Sequence, residues 1–471
     1  MDGGGKSKAE IMYATMKPWK LFFVVALPGM ISMLAMSVYS IIEGAFIGQT
    51  LGEGAFAAVN IAMPLVFINF SLADLIGVGA SVPISIALGR KDTKAANNAF
   101  SCSIVMIFVT SVIMGIIMFC AAEPLVRIMG ANDELLDTSV RYLRTFALTS
   151  PITTVFFAMD NYLRISGFIK LSMAINVSSN FVTVGFLTYF LLVARMDVVG
   201  SALATSISMC LCSLAALLPF LKKKTLLRFT RPRFGKKLFM QIAACGSPVF
   251  LSNIAGRVTA ILINISLMTL GVKYLGEGGG TTAVAAYAVL MYSGEMCQPL
   301  LYGMSDALSP ALGYNWGAEN YGRVKKIARC SFIGTATVGV VATAVLILLS
   351  EPIASLFTSA QDTKLLVLSA RAIKLFSLAF LFRWLSISAQ SFLSAIEKPV
   401  FATLTAVAVA FVFPVIMLGA LWNLGLDGIW LNLCGTSVLA MMLSLALIVL
   451  VWREIKKKEA RPKTDVAVHQ N

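Results

Sequence analysis

The chain has 471 residues, of which 58% are hydrophobic and only 13% are charged, whereas a soluble domain carries about 25% charged residues. This composition excludes a soluble protein and indicates a polytopic membrane protein. The net charge of +15 does not indicate nucleic-acid binding, because basic residues cluster in loops and tails, as is typical of membrane topology. Two such clusters are Lys222, Lys223, Lys224, Arg228, Arg231, Arg233, Lys236 and Lys237, and Lys456, Lys457, Lys458, Arg461 and Lys463.

Twelve apolar stretches follow one another along the chain, and each is long enough for a transmembrane helix. An even number of spans puts both termini on the same side of the membrane. The segments 48–57, 271–282 and 423–428, on the other side, contain a single basic residue, Lys273, so the positive-inside rule favours cytoplasmic termini. The predicted span cores are 21–47, 58–86, 99–120, 143–163, 171–193, 198–221, 240–270, 283–312, 328–349, 372–394, 400–422 and 429–452.

Glu43, in the first span, is the only charged residue in the run from Leu21 to Gly52. A carboxylate inside a transmembrane helix costs about 2.5–3.5 kcal/mol on insertion scales. Protonation removes much of that cost, because an apolar surrounding favours the neutral acid. Glu43 is therefore a candidate site for a proton or a cation. The alternative is an interfacial position at the outer end of the helix, about a turn and a half before Gly48.

Two further acids lie in the first half of the chain. Asp74, in the second span, either lines a cavity and faces Glu43 or makes a hydrogen bond that packs two helices. Asp160, near the cytoplasmic end of the fourth span, either binds a proton or cation together with Glu43 or forms a structural ion pair with Arg164. The spacing of four residues puts Asp160 and Arg164 on one helical face.

The eighth span carries four residues that are spaced by four, three and four positions. This spacing puts them on one face of a helix, where they form a polar stripe. Lipid cannot face two carboxylates, so the stripe is expected to point into a cavity or into the core. Gln298 and Tyr292 flank it and are suitable hydrogen-bonding partners for a substrate. The stripe consists of Glu295, Pro299, Tyr302 and Asp306.

Arg257 in the seventh span and Arg383 in the tenth leave two interpretations open. If they pair with Glu295 and Asp306, the acids are structural. If they are unpaired and face the cavity, they repel cations and favour anionic or zwitterionic substrates. On the first span, Met33 and Met36 could give the cavity an adaptable apolar wall.

The two halves of the chain repeat each other at an offset of 228 residues. Glu123-Pro124 corresponds to Glu351-Pro352, Gly89 to Gly317 and Gly200 to Gly428, while Pro28 and Pro248 correspond at a slightly shorter offset. Six spans per repeat give parallel topology, with a pseudo-two-fold axis along the membrane normal and a substrate site between the halves. We therefore predict an N-lobe at 1–221, a basic linker at 222–239 and a C-lobe at 240–471.

The same sequence argues against an enzyme and against a cofactor. It contains no phosphate-binding GxxxxGK[ST] loop and no paired nucleophile and base within the spans. The eight cysteines are scattered, and the single histidine, His469, lies in the polar tail. Energy for transport is therefore expected from an ion gradient, with H⁺ or Na⁺ bound by carboxylates, or from the gradient of the substrate.

Four segments carry a family resemblance, namely ALPGMISMLAMSVYSIIEGAFIGQTLG, GVGASVPISIALGRKDTKAANNAF, NYLRISGFIKLSMAINVSSN and GMSDALSPALGYNWGAENYGRVKK. They resemble segments of the multidrug and toxic compound extrusion (MATE) family, in its bacterial MepA/DinF-like branch. The resemblance implies an all-α membrane protein of twelve transmembrane helices in two six-helix lobes.

The resemblance also implies roles for individual residues. Glu43 stands where one branch carries an ion-coupling acid, usually Asp, and Tyr39 and Asn180 match its hydrogen-bonding neighbours. Pro28 matches a proline at which the first helix bends. The chain departs from the family at Val184, where a second acid is often present.

The resemblance finally implies an antiporter that exports organic, often cationic, compounds against H⁺ or Na⁺. We expect small organic substrates and membrane lipid as partners, no nucleic acid, and a functional monomer in the bacterial inner membrane. The alternative is an exporter of anionic or zwitterionic metabolites, or of a lipid-linked substrate, on the same fold.

Overall fold

The computed structural model describes residues 7–358 and 363–460, and within them the fold is helical. Twelve long helices follow one another, as the sequence predicts. They are α1 Pro18–Gly52, α2 Gly54–Gly89, α3 Thr93–Cys120, α4 Asp133–Ile165, α5 Ile169–Val193, α6 Val198–Leu221, α7 Lys236–Leu275, α8 Gly279–Ala307, α9 Tyr321–Leu348, α10 Thr363–Ser377 with Phe380–Ala395, α11 Pro399–Ala420 and α12 Leu426–Glu459.

Polar side chains begin several of these helices. Asp92 accepts a hydrogen bond from the backbone N–H of Ala95 at 2.9 Å, and Asn132 accepts one from that of Leu135 at 3.0 Å. Each bond satisfies an N–H group that the first turn of a helix leaves without an intrahelical partner. Between α1 and α2 the chain turns at Gly52, whose φ of +82° favours glycine.

Of the helices in the described ranges, nine are long and apolar enough to cross a membrane, and the bent pair that forms α10 raises the number to ten. The other two long helices, α4 and α8, have 33 and 29 residues. At about 1.5 Å per residue both exceed the roughly 30 Å of a bilayer core.

Two predicted spans differ in detail from the structure. The prediction of an unbroken span over 283–312 was wrong, because α8 ends at Ala307 and a separate helix, Ser309–Gly317, begins with Pro310 in its first turn. Proline lacks the N–H group that continues a helix but fits a first turn. The span predicted at 372–394 is likewise divided, with a bend of 52° between the two parts of α10.

The repeat is visible as reciprocal contacts between the halves. A Cβ atom on Gly89 would lie 2.0 Å from the carbonyl oxygen of Tyr314, and one on Gly317 would lie 2.1 Å from that of Ile86. The offset of 228 residues relates Ile86 to Tyr314 and Gly89 to Gly317, so each contact is the pseudo-two-fold image of the other. The fold is thus two six-helix lobes related by a parallel pseudo-two-fold axis.

Helix α6 ends at Leu221 and α7 begins at Lys236, with the linker 222–235 between them. The backbone N–H groups of Arg228 and Arg233 donate to the side chains of Asn97 and Asn98, each at 2.8 Å, at the start of α3. We call the end of the molecule that carries this linker the basic end. Arg461, Lys463 and His469 lie outside the described residues, and the lobe boundaries stay a prediction.

The apolar core that the two lobes share lies near the basic end. One apolar cluster there contains residues of both lobes, such as Ala80 and Ala311. Towards the opposite end the core divides into separate clusters, one around Leu143 in the first half and one around Trp430 in the second. The described part of the molecule therefore has the form of a V that opens away from the basic end.

Candidate functional site

Glu43 is a buried carboxylate inside α1, with 9% of its surface exposed. The hydroxyl of Thr205, on α6, donates a hydrogen bond to its Oε1 atom at 3.1 Å. Tyr39, one turn earlier on α1, lies beside Glu43, and its hydroxyl lies 3.3 Å from that of Thr205. Glu43 forms no ion pair among the described residues. Neutral hydroxyl groups alone thus hold this acid inside the N-lobe.

Thr205 is a neighbour of Glu43 that the sequence analysis did not identify. The signal available in the sequence is weak, because α6 carries a series of small polar residues, including Ser201, Ser208 and Ser213, on its buried face. Helical periodicity predicts that such a face is packed. It does not predict which of these hydroxyls lies opposite Glu43.

Asn180 takes no part in the hydrogen bonds of Glu43. Within the described ranges its side chain forms no hydrogen bond, whereas the neighbouring Ser179 accepts one at its carbonyl from Ser208 of α6 at 2.8 Å. Ser179 and Thr183 are the buried residues of this face of α5. Asn180 is one position later, which rotates its side chain by about 100° around the helix.

Asp74 is placed away from Glu43, contrary to one of the two predictions made for it. Its carboxylate lies within electrostatic range of Asp160 and Asp306. Glu43 precedes the Gly52 turn by nine residues and Asp74 follows it by 22, so the two differ in depth by about 20 Å at about 1.5 Å per residue.

Asp160 forms the i,i+4 ion pair with Arg164, at 2.9 Å. The carboxylate also accepts hydrogen bonds from Ser172 and, at 2.7 Å, from Asn176, both on α5. Arg164 is 5% exposed and donates to Ser172 at 3.2 Å. Four mutually bonded side chains therefore join α4 to α5, which matches the structural interpretation of Asp160.

The two acids of the α8 stripe form no ion pair with an arginine in the described part of the chain. Asp306 accepts a hydrogen bond from Ser391 on α10, and no ion pair within the described residues includes Asp306 or Glu295. Both acids are exposed residues on a helix that packs against the other lobe. The structure therefore does not contain the predicted structural ion pairs with Arg257 and Arg383.

The two arginines occupy different surroundings. The guanidinium of Arg257 lies 4.8 Å from the centre of the Phe67 ring on α2, so it bridges the lobes. Arg383 lies within electrostatic range of Glu295 and Tyr287. Its Nε atom is buried and has no hydrogen-bond partner among the described residues. A buried donor without a partner costs about 1–3 kcal/mol, so a ligand acceptor there would be stabilised.

Helices α1 and α8 cross where two glycines meet. A Cβ atom on Gly29 would lie 2.4 Å from the carbonyl oxygen of Gly303. Pro28 directly precedes this crossing, and its carbonyl accepts a hydrogen bond from the hydroxyl of Ser32 at 2.9 Å. Bending of α1 at Pro28 would therefore act on the contact between the lobes.

The remaining predicted cavity residues lie above this crossing. Met33 and Met36 continue the helical face of Gly29, and Met36 is 47% exposed, so this face opens into the V. On α8, Tyr302 and Gln298 are half-buried. The ring of Tyr292 stacks on that of Phe357 with ring centres 5.4 Å apart. A ligand would therefore contact Tyr292 through its hydroxyl group.

These features can be compared with those of known proteins. A family model described as MatE matches residues 28–190 and 258–418, which together exceed half of the chain. The chain belongs to the MatE family. Membership places this MatE chain among transport proteins rather than enzymes, and its helices make it a multi-pass membrane protein.

Two relatives of this MatE chain are described as the multidrug export protein MepA. That of Staphylococcus haemolyticus (strain JCSC1435) is 26% identical over 429 residues, which cover 90% of this chain and 92% of that protein. That of Staphylococcus aureus (strain MSSA476) is 26% identical over 383 residues, which cover 79% of this chain and 82% of that protein.

A solved structure has the same fold. It is described as the outward-facing conformation of a multidrug resistance MATE family transporter of the MOP superfamily. It superposes with a TM-score of 0.88 at 21% identity, over 96% of this chain and 100% of that one. At this identity the likeness concerns the fold, and it supports the twelve-helix architecture with two lobes.

Proposed function

We propose that this chain is an ion-coupled antiporter that exports organic, cationic or amphipathic drug-like compounds across the bacterial cell membrane. The similarity to MepA supports multidrug export. The observation that carries ion coupling is Glu43, a buried acid with two neutral hydroxyl neighbours and no ion pair among the described residues. The transporter works as a monomer, with both termini in the cytoplasm and no cofactor besides H⁺ or Na⁺.

The coupling step is a change of charge at Glu43. A carboxylate without a counter-cation is costly within the membrane, so a proton or Na⁺ that binds there stabilises the N-lobe. Loss of the negative charge weakens the hydrogen bond from Thr205, because bonds to charged acceptors are the stronger ones. This frees α1 to bend at Pro28, where it crosses α8 beside Gly29.

The substrate binds between the two sides of the V. Glu295 and Asp306 are exposed carboxylates without an arginine partner in the described residues, and they attract an organic cation. Met33 and Met36 offer a polarisable surface that adapts to ligands of different shape. Substrate and coupling ion then bias one equilibrium between two orientations of the lobes, in opposite directions.

Arg383 supports a second candidate, the export of anionic or zwitterionic metabolites or of a lipid-linked substrate. Its buried Nε atom has no partner among the described residues, and a carboxylate or phosphate of a ligand would supply one. A zwitterion could use Arg383 and Glu295 together, since the two lie within electrostatic range of each other.

The experiment for the first proposal replaces Glu43 by Gln in proteoliposomes that carry an imposed H⁺ gradient or an imposed Na⁺ gradient. We expect Glu43→Gln to lose at least about 90% of uphill dye or drug transport, because glutamine cannot exchange a proton or balance a sodium ion. The gradient that drives the parent protein identifies the coupling ion.

The matched control is Glu123→Gln, which makes the same change at an exposed acid of the short helix Ala122–Ile128, where Glu123 pairs with Arg127. Dye binding without a gradient should survive in both variants and shows that they are folded. Uphill transport by Glu43→Gln at the rate of the parent would exclude Glu43 as the coupling residue.

A further inference from the structure

A short amino-terminal segment lies across the basic end, between the two lobes. Residues 8–10 form a helical turn, which Ser7 caps by accepting a hydrogen bond from the N–H of Glu10 at 3.1 Å. A π-helical turn, Ile11–Thr15, follows and ends just before α1. Ala9, Met12 and Tyr13 are buried, and Tyr13 is only 1% exposed. A segment outside the twelve spans thus buries one face inside the molecule.

The segment contacts the N-lobe at the end of α4. The hydroxyl of Tyr13 donates a hydrogen bond to the carbonyl of Arg164. Ala9 packs so closely on Gly167 that a Cβ atom there would lie 2.9 Å from the nitrogen of Ala9. The ammonium of Lys8 lies 5.1 Å from the centre of the Phe168 ring.

The same segment contacts the C-lobe at the junction between α8 and α9. The carbonyl of Tyr13 accepts hydrogen bonds from Asn315 at 3.0 Å and from Arg323 at 2.8 Å. Arg323 also donates to the carbonyl of Met16. The ring of Tyr13 lies 6.1 Å from that of Tyr314. Tyr13 therefore bonds one lobe through its hydroxyl and the other through its carbonyl.

We infer that residues 7–16, the N-terminal latch, hold the basic end closed and favour the state that opens at the opposite end. If the lobes part at the basic end, Tyr13 cannot keep both sets of bonds, because Arg164 and Arg323 belong to different lobes. The latch must therefore leave at least one lobe before the transporter opens to the basic end. This inference rests on the alternation between two states in the proposed function.

The test measures accessibility rather than transport, so it can fail independently of ion coupling. The first reporter is Ser85→Cys on α2, which is 3% exposed and faces Gly313 of the C-lobe. The second is Ser40→Cys, an exposed position eleven residues, or about three turns, after Gly29 on α1. Maleimide labelling of the full chain in nanodiscs is read by mass spectrometry at each reporter peptide, so the native cysteines can stay.

In Tyr13→Ala we expect labelling at residue 85 to rise about fivefold or more and labelling at residue 40 to fall, because the equilibrium shifts. Tyr13→Phe loses only the bond to Arg164, so it should change the labelling at residues 85 and 40 in the same directions but by less. If Tyr13→Ala does not fold, Tyr13→Phe provides the test. The matched control is Thr15→Ala, since that exposed hydroxyl bonds only to Ile11 of the same segment.

Two results would overturn the inference. One is unchanged labelling at both reporters in a folded Tyr13 variant. The other is a rise at residue 85 without a fall at residue 40, because the segment would then only cover the basic end without biasing the two states.

Discussion

Two hydroxyl side chains that differ greatly in their distance from Glu43 along the chain lie beside it. Tyr39 lies one turn away on α1, and Thr205 lies 162 residues away on α6. The i,i+4 spacing and the family resemblance predict Tyr39. Nothing in the sequence singles out Thr205, because the packing of α1 against α6 decides which of several hydroxyls reaches the acid.

The depth of Asp74 relative to Glu43 follows from counting residues along the hairpin of α1 and α2. Its distance from the Gly52 turn differs from that of Glu43 by 13 residues, which excludes a direct contact at about 1.5 Å per residue. Counting does not predict that Asp74 lies near Asp160 and Asp306. These three acids belong to three helices from both lobes, so tertiary packing brings them together.

Arg383 allows a residue-scale prediction that separates the two substrate classes. Arg383→Gln should weaken the binding of a zwitterionic or anionic probe by about 1.5–3 kcal/mol, the usual range for a hydrogen bond to a charged group. It should leave a cationic probe unchanged or bound more tightly, because a like charge is removed. Dissociation constants from fluorescence titration check this.

The control for Arg383 is Arg371→Gln, in the first part of α10, because Arg371 is exposed and pairs with Asp427. An equal loss for cationic and anionic probes in Arg383→Gln would point to a purely structural arginine. If Arg383→Gln binds the anionic probe as tightly as the parent protein does, Arg383 no longer supports the second candidate function.

At the scale of elements, the lobes meet through glycines on α1, α2, α7 and α8. The sequence shows the repeated glycines but not their partners. In the structure, Gly89 and Gly317 each press on a backbone carbonyl of the other lobe, at 2.0 and 2.1 Å from an added Cβ atom. Such contacts allow the helices of the two lobes to approach closely at one end.

We predict that Gly89→Ala disturbs the closed basic end. The added methyl group overlaps the carbonyl of Tyr314, and overpacking of this kind costs about 1–3 kcal/mol. Spin labels at Thr93 and Ala318, two exposed positions on different lobes, should report longer or broader distances. The midpoint of thermal unfolding should fall as well.

Gly185→Ala on α5 is the control for this change, because nothing lies within 4 Å of an added Cβ atom there. Alanine in a helix interior is favoured over glycine by about 1 kcal/mol, so this variant should be as stable as the parent or more so. If the distance between the spin labels in Gly89→Ala matches that of the parent, the added methyl group is accommodated locally and the lobes do not separate.

At the scale of the whole molecule, the distribution of basic residues predicts how the V is oriented in the membrane. The basic end carries the linker 222–235, whereas the segments 48–57, 271–282 and 423–428 at the other end carry one basic residue, Lys273. The positive-inside rule places the basic end in the cytoplasm and the opening of the V outside.

Single-cysteine labelling of intact cells tests this orientation. An impermeant maleimide should modify Glu277→Cys, in the turn between α7 and α8, in intact cells. Lys222→Cys, at the start of the linker, should react only after the cells are permeabilised. Labelling of Lys222→Cys in intact cells would reverse the orientation.

The sequence by itself determined the class of protein, the number and order of the helices, the repeat and the isolated acid of α1, because hydropathy, spacing and charge are local properties of a chain. It missed the break after Ala307, although Pro310 marks it, since an apolar run continues across that proline. The tertiary structure alone decided that Thr205 bonds Glu43 and that Tyr13 bonds both lobes. It also decided that Glu295 and Asp306 have no arginine partner among the residues it describes. These contacts, made or missing, concern residues that are far apart in the chain. Many helices have the same periodicity, so the sequence pattern does not show which helix faces meet, and only their packing decides it.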